Sequence, residues 1–281
     1  MKVIRYIKEL EYALKPFRLQ GQRIGFVPTM GALHEGHLSL IRKSVEQNRI
    51  TIVSIYVNPA QFNDKNDFNN YPRDFEKDYK LAESVGCNFI FAPGDEEMYP
   101  VKDEREFDLG ILGLVMEGKY RPGHFNGVAK IITRLFDVVN PDQAYFGQKD
   151  FQQLAIIRKI VHDFNYNITI TACPILREND GLAMSSRNLL LTLEHRAAAP
   201  IIYQTISKTK DLINKTSVRE IEDFVIKSID SSPILKVEYF EIVDSATLLK
   251  VNTINPEKPV TACIAVFAGK IRLIDNIEII S

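Results

Sequence analysis

The stretch RIGFVPTMGALHEGHLSLI, residues 23–41, decides the fold. Its first seven residues are apolar and β-branched and read as a buried strand. A Pro-Thr-Met-Gly turn follows, and a helical pattern runs from about residue 36 to 48. Similar units recur downstream. Strand signals fall at 50–57, 88–93, 144–147 and 168–175, with helical patterns at 72–85, 126–140 and 150–163 between them. Strands apolar on both faces that alternate with helices predict a parallel sheet covered on both sides, a Rossmann-like doubly wound α/β fold. In such sheets ligands bind beyond the carboxyl ends of the strands, where the strand order switches.

Past residue 178 the order changes to helical stretches (192–214 and 217–230) and then short strands (236–243, 260–268 and 271–274). This predicts two domains: a nucleotide-binding domain over 1–178 and a smaller α+β domain over 179–281 with a packed interface between them. The opening residues read as one amphipathic helix with Val3, Ile7, Leu10, Leu14 and Phe17 on a face, without the pattern of a signal peptide.

Composition narrows the function. The 281 residues are 45% hydrophobic and 25% charged, as in a globular protein with a real core. The formal charge is −1, from 35 basic and 36 acidic residues, which argues against nucleic-acid or membrane-surface binding. Cys87, Cys173 and Cys263 are widely separated and form no Cys-x-x-Cys, so reduced thiols and a cytoplasmic location are expected. No apolar run reaches the ~20 residues that span a bilayer. Two Asn-x-Thr triplets, at Asn167 and Asn214, carry little weight without a secretion signal.

The chemistry sits in the loops. His34 and His37 lie three apart at a helix start, so both imidazoles can address one ligand. The unpaired N–H groups and positive dipole end favour an anion there. Gly36 removes a Cβ from the approach. Imidazole can hydrogen-bond phosphate in either protonation state, which suits attack at a nucleotide α-phosphate. A zinc site would need a third ligand, and His124, His162 and His195 are not obvious partners; a pair that merely caps or fills space stays open.

In Phe146-Gly-Gln-Lys-Asp150, Lys149 can reach phosphates, and Asp150 reads equally as an N-cap or a ligand contact. Ser185, Ser186 and Arg187 offer donors to a polyphosphate, or form a solvated loop. Asn58 and Gln61 are neutral amides suited to orienting a small polar substrate, and Gln153 could face the crevice. Arg121 to Gly127 reads as a turn plus cap. The marks of P-loop hydrolysis, dinucleotide-dependent hydride transfer and the serine hydrolase elbow are all missing from the sequence.

Together these segments resemble the pantothenate synthetase (pantoate–β-alanine ligase) family. The resemblance runs through residues 27–41, 54–62, 71–73, 121–128, 146–153 and 177–188, and more loosely through 239–244 and 272–276. It implies a nucleotidyltransferase fold of the HIGH-motif type. It also implies an ATP-dependent ligation: the carboxylate of pantoate attacks the α-phosphorus, and the amine of β-alanine then displaces AMP. Magnesium would travel on the ATP phosphates, and the chain would be a homodimer.

Carried over by position, Pro28, Thr29, Met30, Gly31, Ala32, Leu33, His34, Glu35, Gly36 and His37 resemble the nucleotide-binding turn, with His37 as the catalytic imidazole beside His34. Gly147, Gln148, Lys149 and Asp150 resemble the adenosine-side loop, with Lys149 balancing phosphate charge. Leu176, where valine is commoner, and Met184, Ser185, Ser186 and Arg187 match further ATP contacts. Gln61, Gln153 and Asn58 match the pantoate side, and Gln61 also the β-alanine path. Lys130, where threonine is usual, should face outward. The competing readings are an adenylyltransferase acting on a phosphate acceptor and a non-catalytic nucleotide-binding module.

Overall fold

A computed structural model describes residues 1–280. Its larger sheet has six strands: β1 (Lys2–Ile4), β2 (Ile24–Thr29), β3 (Ile50–Ile55), β4 (Phe89–Phe91), β5 (Gln143–Gly147) and β6 (Thr169–Cys173). They are parallel throughout, in the order β1-β4-β3-β2-β5-β6. The chain therefore builds outward from β2 through β3 to β4, then returns to place β5 on the other side of β2. The switch in strand order lies between β2 and β5, so the loops after these strands open into one crevice.

Five helices cover this sheet: α1 (Ile7–Leu19), α2 (Glu35–Gln47), α3 (Phe75–Ser84), α4 (His124–Val139) and α5 (Phe151–Asp163). Successive strand residues supply the two faces. Phe26 and Ile52 pack with Val128, Leu135, Phe136 and Ile157 from α4 and α5. Their neighbours Val27 and Val53 pack with Leu38 and Ile41 of α2 on the opposite side. The core strands have no wet face, which is why they read as continuous apolar runs.

The second sheet is antiparallel, β7 (Leu235–Asp244), β8 (Val260–Ala268) and β9 (Ile271–Ile280), in that order. It is backed by α6 (Val218–Asp230), whose Ser217 and Glu220 form a capping box. Val225 and Ile229 of α6 meet Phe240, Ile242 and Ile264 in a core of their own.

Three expectations need correction. Residues 2–4 are an edge strand paired with β4, so Val3 does not belong to the helical face that Ile7, Leu10, Leu14 and Phe17 share. Extended pairing wins there because it fills an open sheet edge. The helical stretch at 192–214 is broken into Leu193–Ala198, Ile201–Ser207 and Thr209–Leu212. Pro200, which has no N–H to donate, stands at the first break. The last strand runs to Ile280, six residues past the expected end. Cys87, Cys173 and Cys263 are buried and free. Among the described residues no helix is long and apolar enough to cross a membrane.

Candidate active site

The loop after β2 carries the two histidines. It turns through left-handed backbone at Gly31 and Ala32, with φ of 77° and 49°. Asp78 of α3 holds this turn from behind: its carboxylate accepts from the Ala32 N–H at 2.9 Å and the Leu33 N–H at 2.7 Å. A Cβ on Gly31 would stand 2.8 Å from an Asp78 oxygen, so glycine is required there for space as well as for φ. Helix α2 then begins with His34 at its N-cap, and no side chain caps it. The first-turn N–H groups and the positive dipole end are left for an outside acceptor.

The imidazoles of His34 and His37 lie against each other with ring centroids 4.1 Å apart, tilted by 37°. Gly36 permits this arrangement, because a Cβ there would meet the His34 ring at 2.8 Å. The expected role of Gly36, access of a ligand to the backbone, is thus secondary to seating that ring. Among the described residues the Nδ1 atoms of both histidines are buried without a hydrogen-bond partner. Burial, aided by the Lys149 ammonium, holds His34 down to about 4. Burial, His34 and Lys149 hold His37 well below its ordinary value. Both rings are neutral near pH 7 and both line the crevice, where an arriving anion would raise their proton affinity.

Across the switch point, β5 ends at Gly147 and delivers Lys149 and Asp150 to the same crevice. The Asn276 amide of β9 donates to the backbone carbonyls of Gln148 and Lys149, at 2.9 and 3.0 Å, so the second sheet fixes this turn. Asp150 occupies the N-cap position of α5, but its side chain makes no capping bond. It faces the cleft instead.

The third contributor is the Pro59–Gln61 turn after β3. Asn58 is fully buried: its amide donates to the Gln61 side chain and the Gly127 carbonyl, and its oxygen accepts from Ala60 and Tyr99. Asn58, expected to contact substrate, does not itself line the cleft; it holds Gln61, which does. The fourth is the segment after β6. Leu176, Met184, Ser185, Ser186 and Arg187 face the crevice. Ser185 Oγ accepts from the Arg187 N–H, Ser186 meets the Tyr71 hydroxyl at 3.2 Å, and Asp67 grips the Arg187 guanidinium at 2.7 Å.

These loops enclose a cavity of about 200 Å³ that opens into a larger space of about 950 Å³ between the two sheets. The first is too small for a nucleoside triphosphate, and the two joined through Lys149, Asp150, Gln153, Ser185 and Arg187 are not. Pro28, Thr29, Met30, His34, Gly36, His37, Gln61, Gly147, Lys149, Asp150 and Gln153 all line the inner cavity. Gly31, Ala32 and Leu33 instead turn toward Asp78, and Glu35 pairs with Arg42 on the surface. Gln148 acts through its backbone, donating to Cys173 and accepting from Asn276.

Asp78, Asn276 and the apolar wall were not read from the sequence as parts of the site. That wall is formed by Val128, Ile131, Ile132 and Leu135 of α4 with Leu40 and Tyr56. The periodicity of α4 announces an apolar face but cannot say that part of it borders a cavity. Lys130 does not face freely outward: its side chain is 14% exposed and lies 3.9 Å from Glu106.

Comparison with known proteins decides the family. The model for pantoate-beta-alanine ligase matches residues 2–278. This chain belongs to the pantoate-beta-alanine ligase family. A curated relative, the pantothenate synthetase of Bacteroides thetaiotaomicron, is 52% identical over 278 residues, 99% of each chain. That of Caldicellulosiruptor bescii is 47% identical over 285 residues, again 99% of each. Among solved structures, a pantothenate synthetase from Thermus thermophilus superposes with a TM-score of 0.91 at 37% identity, covering all of both chains. The pantoate-beta-alanine ligase of Francisella tularensis, complexed with beta-gamma ATP and beta-alanine, gives 0.82 at 33% identity, covering 99% of this chain and 97% of that one.

Proposed function

We propose that this chain is an ATP-dependent ligase that joins pantoate to β-alanine through a pantoyl-adenylate, releasing pyrophosphate and AMP. One observation carries the reading. Two neutral, unpartnered imidazoles sit at the uncapped N-terminus of α2, facing Lys149, in a cleft that also holds Gln61 and Gln153. Family membership and the nucleotide and amine in the Francisella complex support it.

In the first step a pantoate carboxylate oxygen attacks the α-phosphorus in line, and the bond to the β-phosphate oxygen breaks. His37 and His34 hydrogen-bond the phosphate oxygens and gain proton affinity as charge gathers there, while Lys149 balances it. Arg187 would exchange Asp67 for the departing pyrophosphate. Gln61 and Gln153 hold pantoate by neutral hydrogen bonds, and the apolar wall of α4 takes its quaternary dimethyl carbon. In the second step the β-alanine nitrogen attacks the acyl carbon, AMP leaves with the carboxylate oxygen, and the ammonium gives up its proton. No enzyme nucleophile is called for.

Among the described residues no group of three His, Cys, Asp or Glu side chains could hold a metal ion. Magnesium fits only as a partner of the ATP phosphates, with Asp150 a cleft carboxylate outside any arginine pair, and there it would neutralise phosphate charge. The residues from 179 onward are proposed to serve as a lid domain, and the molecule as a cytoplasmic homodimer. An acceptor phosphate, as an adenylyltransferase would use, fits poorly, because amides and apolar side chains stand where added cations would be needed.

The test is a product assay with ATP, magnesium and pantoate, with and without β-alanine. Pantothenate and AMP in equal amounts, dependent on both organic substrates, are expected. Formation of ADP, or nucleotide turnover independent of pantoate, would rule the ligase out.

A further inference from the structure

The Arg121–His124 pair lies outside the reacting groups, yet it touches the turn that presents Gln61. His124 opens α4, and its Nδ1 lies 2.7 Å from the Gln61 backbone carbonyl. Its Nε2 lies 3.1 Å from an Arg121 guanidinium nitrogen. Arginine can only donate, so Nε2 is the acceptor and the proton sits on Nδ1, which donates to Gln61. Burial, reinforced by Arg121, keeps the ring neutral and its pKa down at about 3.

The same turn is pressed against α4 without slack. A Cβ on Gly127 would lie 2.0 Å from the Ala60 carbonyl oxygen. The Gln61 side-chain oxygen accepts from Asn58 at 3.2 Å, and its nitrogen faces only the Met30 sulfur, at 3.1 Å. Thioether sulfur is a weak acceptor, so the amide donors stay available to a substrate oxygen. Arg121 is in turn 3.6 Å from Glu117. Two nitrogens of Arg272 on β9 hold that carboxylate at 2.6 and 2.7 Å, and the Tyr239 hydroxyl of β7 donates to it at 2.8 Å.

We propose that His124 is a positioning residue for the substrate amide. As the Nδ1–H tautomer fixed by Arg121, it sets the Gln61 carbonyl so that the Gln61 amide donates into the cleft. Through Glu117 and Arg272 it also ties that amide to the second sheet. The inference rests on the reading of Gln61 as a pantoate-binding residue.

The test uses three variants of the whole protein. In His124→Asn the side-chain amide can replace the Nδ1–H donor, whereas in His124→Gln it reaches toward the Nε2 site and leaves the Gln61 carbonyl unpaired. Pantoate KM is expected to stay within about threefold of wild type in H124N. It should rise about tenfold in H124Q, with ATP KM unchanged in both, as the loss of one buried hydrogen bond of roughly 1.4 kcal/mol implies. Equal pantoate KM in H124N and H124Q, or ATP and pantoate KM rising together with a fall in Tm, would overturn the proposal in favour of a purely structural histidine. Gln61→Ala separates the two failures. If it leaves pantoate KM unchanged, the reading of Gln61 falls and the inference with it; if it raises pantoate KM while H124Q does not, only the inference falls.

Discussion

At the scale of single residues, the cleft holds basic groups in their uncharged form. His34 titrates at about 4 and His37 also well below 6.5, both because burial and neighbouring positive or imidazole groups penalise the cation. In the unfolded chain both return to about 6.5 and so bind protons first as pH falls. The ligand-free protein should therefore lose stability between roughly pH 6.5 and 4, and His34→Gln should flatten that slope in Tm measured against pH. Phosphate at the same site reverses the preference, so ATP binding near pH 6 should take up protons, visible as buffer-dependent heat in titration calorimetry. His37→Gln retains a hydrogen-bond donor but not the capacity to gain charge. We expect it to lower kcat by about 10²–10³ with ATP affinity changed only a few-fold. Full turnover in that variant would remove His37 from the reaction.

At the scale of elements, the strand–turn–helix at 24–47 shows what a sequence reveals and what it conceals. The apolar run, the turn and the histidine spacing all lie within a few residues of each other, so strand, helix and candidate site could be read together. Asp78 could not, because its partners Ala32 and Leu33 are more than forty residues away and aspartate on a helix is ordinarily a surface residue. Here it is 1% exposed, and among the described residues its carboxylate is the only acceptor for two N–H groups of a left-handed turn. Asp78→Asn keeps one acceptor and sets an amide N–H against a backbone donor. It should cost about 2–3 kcal/mol in denaturant unfolding and raise ATP KM more than pantoate KM. Unchanged stability would mean that the turn holds itself. The same limit explains Asn58. An amide in a loop reads as a substrate contact, and only the structure shows its bonds all used within the protein.

At the scale of the molecule, the two sheets meet through a few polar ties. Arg177 donates to both Asp275 oxygens, at 2.6 and 3.0 Å, and lies 3.7 Å over the Tyr203 ring. Asn276 next to it braces the Lys149 turn. Five strands of the first sheet were legible as alternating strands and helices, whereas its edge strand β1 read as the start of a helix. The second was legible only as a change of pattern, and its part in the site hardly at all, because residues 275 and 276 meet their partners across about 100 and 130 positions of chain. Asn276→Ala should therefore lower kcat, by loosening Lys149, while the unfolding midpoint moves by only a few degrees. An unaltered kcat would dissociate the second sheet from the chemistry.

The central claim, that pantoate is activated as its adenylate, is tested most directly by following oxygen. Pantoate carrying ¹⁸O in both carboxylate positions is turned over with ATP and β-alanine, and the products are read by mass spectrometry. One ¹⁸O in the phosphate of AMP and one in the amide carbonyl of pantothenate are predicted. Unlabelled AMP, or ¹⁸O in inorganic phosphate beside ADP, would contradict the account.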